Sequence, residues 1–324
     1  MMDSPYSPIE FRLLNEWQRD LPLVPEPYAV IADKIGVEEQ SVLDALKRLH
    51  GKGAVSRVGA VFAPWRIGVS TLAAMAVPPE RLEEVAALVS ARDEINHNYE
   101  REHRHNLWFV ATARDETLLA AALDGISAAA GLPVMSLPLV EQYHIDLGFD
   151  LCDAVKERGG AGEMRHEPLS EEEQRLAAAV ERGLPLVRHP YAELGRAAGI
   201  GEAEAIAHVR RWLERGIVKR LGVIVRHHEL GYKANAMVVF DVPDEAAARI
   251  GARLSADPGV TLCYRRQRHR PEWPYNLYCM VHGRTREEVM PVVERLSAVV
   301  DRRPEVLFST RRFKQRGARY FHGA

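Results

Sequence analysis

The chain has 324 residues, 47% hydrophobic and 27% charged, which is material for about two domains with real cores and excludes disordered, collagen-like and low-complexity proteins. No apolar run reaches the ~20 residues of a membrane span, no basic start leads into an apolar signal core, and Cys152, Cys263 and Cys279 form no CxxC pair, so a cytoplasmic protein without a disulfide scaffold or structural metal is expected. The net charge of −2 hides an asymmetry: residues 1–162 hold 15 basic against 24 acidic residues, a net −9, and residues 163–324 hold 28 against 21, a net +7, so the halves attract each other or one of them holds an anionic ligand.

Taken in chain order, residues 1–66 read as a helix-turn-helix domain. Pro27 suits a first helical turn, Gly36 sits where a short helix must turn, and Val42, Leu46 and Leu49 share a face of a second helix that Gly53 ends. The β-rich AVSRVGAVF follows, so the pattern is helix, tight turn, helix, strand, that of a winged helix-turn-helix. Residues 67–150 change period. STLAAMAV is strand-like, RLEEVAALVSA helical, INHNYERE and NLWFVATA strand-like, ETLLAAALDGISAAA helical and VMSLPLVEQYH strand-like. This β-α-β-β-α-β order predicts a ferredoxin-like sandwich.

Residues 151–168, polar and Gly-containing, read as a linker. The pattern then starts again. Pro27, Tyr28, Gly36, Gly53, Arg57, Gly59 and Gly68 recur in constant register as Pro190, Tyr191, Gly199, Gly216, Arg220, Gly222 and Gly231, and the second helix face returns as Ile206, Val209 and Leu213. Tyr99 and Arg101 pair with Tyr264 and Arg266 after a short insertion, and Asn106-Leu107 with Asn276-Leu277 after a longer one. The expected fold class is therefore α+β, a tandem repeat of winged helix-turn-helix plus ferredoxin-like sandwich. Residues 169–229 form the second helix-turn-helix domain and 230–324 the second ferredoxin-like domain.

A helix-turn-helix joined to a ferredoxin-like module resembles the Lrp/AsnC transcriptional regulators, which would make the chain a ligand-responsive DNA-binding protein. The charges argue against DNA. One presumed recognition helix begins with Glu38 and Glu39 and the other with Gly201, Glu202 and Glu204, and carboxylates there repel phosphate.

HNYEREHRHNLWF from His97, CYRRQRHRPEWPYNLYCMVHG from Cys263, RVGAVF, RHHELGY and the terminal LFSTRRFKQRGARYF resemble the siroheme decarboxylases, a family built on the Lrp/AsnC plan. The chain is similar to a fused form, one copy resembling each of two subunit types. The resemblance implies cofactor-free loss of CO2 from two acetate side chains of siroheme, giving 12,18-didecarboxysiroheme for d-type haem or an alternative haem route. Iron enters only as part of the substrate. It also implies an active site between the ferredoxin-like sheets, paired here within one chain as a pseudo-dimer. Work as a homodimer or with related subunits stays open, as does a tetrapyrrole-binding protein without turnover.

A ring of carboxylates on the substrate calls for guanidinium forks, and Arg101, Arg265, Arg266, Arg268 and Arg270 stand on or beside equivalent strands. Alternation places His97, Tyr99 and Arg101 on one strand face, with His103 if the strand continues. His97 and His103 are the expected acid–base or orienting pair. Tyr99, Arg101, Arg57, Arg220, Tyr264 and Arg266 are expected to hold carboxylates. His227 and His228 are expected at the substrate iron or its propionates, and Trp273 and Tyr275 on the wall of a flat-ligand pocket, with Trp108 and Tyr278 there or in the core. Leu262 stands where His97 does in the other copy, so catalysis is expected to be asymmetric.

Overall fold

A computed structural model describes residues 6–63, 65–145, 168–225 and 234–321. The first half contains α1 (Pro8–Glu16), α2 (Pro27–Ile35), α3 (Glu39–Gly51), β1 (Val55–Phe62), β2 (Val69–Met75), α4 (Leu82–Ala91), β3 (Ile95–Arg101), β4 (Leu107–Ala113), α5 (Glu116–Ala130) and β5 (Met135–Ile145). The second contains α6 (Glu171–Arg182), α7 (Pro190–Ala198), α8 (Glu202–Glu214), β6 (Val218–Val225), β7 (Ala234–Phe240), α9 (Asp244–Leu254), β8 (Val260–Arg266), β9 (Leu277–Gly283), α10 (Arg286–Val300) and β10 (Glu305–Gln315). Among the described residues, no helix is long and apolar enough to cross a membrane.

Local chemistry sets the helix ends. Gly36 and Gly199 close α2 and α7 in the left-handed region, at φ 81° and 77°. Helices α1 and α6 extend the repeat upstream of the sequence reading. Each opens with a capping box, Ser7 with Glu10 and Ser170 with Glu173, in which the serine oxygen accepts the N3 amide and the glutamate accepts the N-cap amide.

The two helix-turn-helix units share one core, in which Leu13, Tyr28 and Leu46 are buried with Leu176, Tyr191 and Trp212. Tyr28 donates its hydroxyl to Pro185 O and Tyr191 donates to Pro22 O, both at 3.2 Å, so each copy reaches across to the other. The wing strands β1 and β6 pair antiparallel, with Gly59 opposite Gly222.

The ferredoxin-like halves also join. Their sheets, ordered β5-β2-β4-β3 and β10-β7-β9-β8, close through antiparallel β5–β8 and β3–β10 pairs into one eight-stranded barrel. This is pairing of the two sheets within one chain. Helices α4 and α5 cover one outer face and α9 and α10 the other, each pair over its own apolar core. Ala74, Trp108, Leu137, Met237, Trp273 and Leu307 form a further apolar cluster inside the barrel.

Candidate active site

Between the inner barrel face and the wing sheet lies a cavity of about 350 Å³, with residues 315–318 and Tyr320 along one wall. Much of its lining is apolar, including Phe62, Leu72, Trp108, Met237, Tyr278 and Met280. Arg57, Arg101, Lys219, Arg220, Arg266 and Arg316 also line it.

A backbone irregularity aims the strand residues. Ile95 belongs to the helix-side core, yet His97, two residues on, lines the cavity, because the β3–β4 register shifts between them. Tyr99 and Arg101 then keep the inner face, while Asn98 turns outward and donates to Ala86 O and Ser90 Oγ. Strand β8 repeats the device between Val260 and Leu262, placing Leu262, Tyr264 and Arg266 inward.

The two Tyr–Arg pairs are held alike. Arg101 donates to Leu307 O and Arg266 to Leu137 O, each at 2.9 Å. The guanidinium carbons lie 5.9 Å from the Tyr99 ring and 5.3 Å from the Tyr264 ring. Burial pulls the Arg101 pKa down to about 10 and lowers that of Arg266, while it raises the Tyr99 phenol and pushes that of Tyr264 up to about 12. Neither arginine forms an ion pair with a carboxylate among the described residues, and the buried Arg101 Nε has no hydrogen-bond partner. Arg57 donates to Ala60 O at 2.8 Å and is brought down to about 10 by burial, with the Glu181 carboxylate opposing that shift. His97 Nδ1 lies 3.4 Å from the Tyr99 hydroxyl.

His97, Tyr99, Arg101, Arg57, Arg220, Tyr264 and Arg266 thus converge on one cavity. His103, Trp273 and Tyr275 do not line it. Strand β3 ends at Arg101, so the alternation stops there and His103 falls in the following loop, where its Nδ1 accepts the His105 amide at 2.9 Å. Its ring stacks 5.7 Å from His105 and meets Trp273 edge-on at 5.3 Å, and burial lowers the pKa of both histidines. Trp273 is fully buried, donates to the Tyr278 hydroxyl at 2.6 Å and packs on Trp108 and Tyr275, forming a layer behind the cavity wall. His227 and His228 lie outside the described residues.

Arg265 and Arg268 do not line the cavity: both pair with Asp244, and Arg268 also pairs with Asp241. Lys219 is a cavity cation that sequence reasoning missed. Its Nζ donates to Gln142 Oε1 at 3.1 Å, lies 4.9 Å from the Trp65 ring centre, and is brought down to about 8 by burial. A single lysine in a wing strand has no spacing signal. Its repeat position, Ser56, lines the same cavity.

Two features lie elsewhere. Glu172, Glu204 and His208 could group around a cation, but Arg211 Nη2 already sits 2.8 Å from His208 Nδ1. At the junction of the copies, Arg188 pairs with Glu26 and Glu39, and His189 with Glu26 and Glu202. Glu39 and Glu202, at the starts of α3 and α8, therefore lie beside Arg188 and His189.

A barrel of two similar halves, with the Arg101 and Arg266 guanidinium groups facing an apolar cavity and paired with no carboxylate among the described residues, defines a site suited to a large polycarboxylate. Residues 66–144 and 229–314 match the AsnC-like ligand binding domain, and residues 10–55 and 173–218 match the Siroheme decarboxylase NirDL-like HTH domain. The chain is 44% identical to the siroheme decarboxylase NirDL subunit of Paracoccus denitrificans (strain Pd 1222), over 96% of each chain. It is 32% identical to a siroheme decarboxylase of Hydrogenobacter thermophilus, over 96% of this chain and 94% of the relative. The crystal structure of siroheme decarboxylase NirDL in co-complex with an iron-uroporphyrin III analogue superposes with a TM-score of 0.69 at 29% identity, covering 97% of this chain and 93% of the other. The chain belongs to the siroheme decarboxylase family, in its fused two-copy form.

Proposed function

We propose that the chain removes CO2 from two acetate side chains of siroheme, yielding 12,18-didecarboxysiroheme for d-type haem or the alternative haem route. The observation that carries this reading is the pair of Tyr–Arg units facing one apolar cavity, their buried guanidinium groups without a carboxylate partner among the described residues. A macrocycle ringed by carboxylates supplies those partners, and aromatic and aliphatic walls suit its flat body.

In each decarboxylation the bond between the acetate methylene and its carboxylate breaks and CO2 leaves. The electron pair delocalises into the macrocycle, and the methylene carbon takes a proton to become methyl. His97, aimed inward by the β3 bulge, is the proposed proton donor, since an imidazole with a reference pKa near ~6.5 can supply a proton at neutral pH. Arg101, Arg266, Arg57 and Arg220 orient carboxylates with Tyr99 and Tyr264. Too tight a grip on the departing carboxylate would stabilise the ground state and slow the reaction, which favours anchoring through the groups that stay. The residues proposed here act without a resident cofactor, and iron arrives with the substrate. His103, behind the wall, has an indirect role at most. A cytoplasmic location and action as a single chain belong to the same proposal.

The test is anaerobic incubation with siroheme and mass measurement of the extracted tetrapyrrole. Loss of two carboxyl groups is expected, with His97→Ala slower by about 10²–10⁴-fold while still binding substrate. An unchanged mass with the wild-type chain would defeat the reading.

A further inference from the structure

Beyond β10 the chain crosses the cavity without regular structure and is fastened on both sides. Arg316 donates its amide to Asn96 O at 2.8 Å, and Thr112 Oγ1 donates to Arg319 O at 2.7 Å. The Glu181 carboxylate, in the last turn of α6, accepts the amides of Tyr320 at 2.8 Å and Phe321 at 3.5 Å. Gly317 lies against the Arg57 guanidinium, where a Cβ would collide, and the Tyr320 ring covers Gly68 in the same way. Tyr320 lines the cavity, and its buried hydroxyl has no hydrogen-bond partner.

The repeat departs from itself at the fastening point. Gln18 stands where Glu181 stands, and its amide donates to Leu14 O within its own segment. In the second copy the residue is a carboxylate, 3% exposed, with Arg57 and Arg319 as its neighbouring cations. A buried carboxylate is costly unless hydrogen bonds and opposite charges compensate it; here burial pushes the Glu181 pKa up to about 7, opposed by the Tyr320 and Phe321 amides and the charges of Arg319 and Arg57, so what offsets the cost comes from the cavity wall and the C-terminal segment.

We propose that Glu181 is a positioning residue that latches segment 316–321 across the cavity, so that admission and release of the tetrapyrrole require the latch to open. Among the described walls, the barrel and wing sheet are knit by strand pairing, whereas this segment has no strand partner and is held by individual hydrogen bonds and by Tyr320 and Phe321 seated in the helix-turn-helix core. It is the described wall that can part without breaking a sheet. The latch also sets the place of Tyr320 and Arg316, both on the cavity surface. Through α6, a helix-turn-helix domain thereby acts on the cavity of the barrel. The identity of what passes the latch rests on the proposed function; the latch itself does not.

The experiment is hydrogen exchange by mass spectrometry on full-length wild type, Glu181→Ala and Glu181→Gln without ligand, followed by stopped-flow binding and displacement of iron uroporphyrin III. In Glu181→Ala the amides of 316–321 are expected to exchange about tenfold faster while barrel peptides are unchanged. Association and dissociation of the tetrapyrrole should both quicken by about tenfold, with a smaller change in Kd. Glu181→Gln, which keeps a carbonyl acceptor and borrows the other copy's residue, should fall between the two. Wild-type exchange in the segment of Glu181→Ala, or a freed segment with unaltered tetrapyrrole kinetics, would overturn the proposal. If Glu181→Ala loosens the whole chain, Glu181→Gln decides: faster segment exchange than wild type upholds the latch, and equal exchange overturns it. A wild-type chain that binds no iron uroporphyrin III would defeat the functional reading, leaving the latch to be decided by exchange alone.

Discussion

Arg101 and Arg266 bear charge where the described residues supply no carboxylate, and this is what ties stability to function at the residue scale. A buried guanidinium that has a carbonyl partner but no carboxylate costs folding free energy that a bound carboxylate returns. Arg101→Met is therefore expected to leave the melting temperature of the ligand-free chain unchanged or higher, since lost charge burial offsets the lost donor to Leu307 O. Its affinity for the tetrapyrrole should fall at least about tenfold, because a charge-assisted hydrogen bond contributes ~1.5–3 kcal/mol. A variant that melts lower and binds as before would contradict this. Lys219 gives a pH signature. With its pKa near 8 in the free protein, it is charged at neutral pH and loses its proton as pH rises through that value. Only the charged form attracts carboxylate, so affinity should be highest below about pH 8 and decline above it. Titration of Lys219→Arg across the same range should show a flatter profile. The sequence made the paired residues legible, Tyr99 with Tyr264 and Arg101 with Arg266, because repetition marks them. It could not mark Lys219, which departs from the repeat, or place His103 off the cavity lining, which depends on where β3 stops.

The elements that aim these residues depend on close backbone approaches. In the register of β3 and β8, the shifts after Ile95 and Val260 turn what simple alternation would leave on the helix side toward the cavity. The sequence shows the alternation from His97 onward but not the bulge that precedes it. The wing strands were visible as β-rich runs, yet their pairing with each other was not, since a period of two marks the faces of a strand and says nothing of its neighbour. Helices α1 and α6 went unread although both carry the Ser-x-x-Glu signature. Gly222 is the tightest seat in this junction: a Cβ there would overlap the Gln18 backbone, next to the bond from the Val223 amide to Trp17 O at 2.7 Å. Gly222→Ala should cost about 1–3 kcal/mol in denaturant unfolding. Gly51→Ala, at the end of α3 with nothing within 4 Å of a new Cβ, should be neutral or stabilising by about 0.5–1 kcal/mol. Equal effects would mean that the wing junction can yield.

At the scale of the molecule, the repeat is two halves of one object. The shared helix-turn-helix core, the β1–β6 wing and the β5–β8 and β3–β10 seams all join one copy to the other. The cavity takes Arg101 from one copy and Arg266 from the other, and each arginine donates to a carbonyl of the opposite copy. Neither half has a complete site, and each alone would expose sheet edges and an open core face, which promotes association. The opposed net charges, −9 and +7, favour the unlike pairing over either like pairing. Residues 1–162 and 163–324, produced as separate chains in one cell, are therefore expected to co-purify as a one-to-one complex that binds tetrapyrrole. Each half alone should aggregate or self-associate and bind poorly. Size-exclusion chromatography with light scattering at low and high salt checks both parts. The charge contribution predicts slower assembly at high salt, while the seams, built from backbone hydrogen bonds and apolar burial, predict that an assembled complex survives it. A half that binds tetrapyrrole stoichiometrically as a monomer would show that the site does not need the fusion of two unlike copies, and the asymmetry of His97 against Leu262 would then need another explanation.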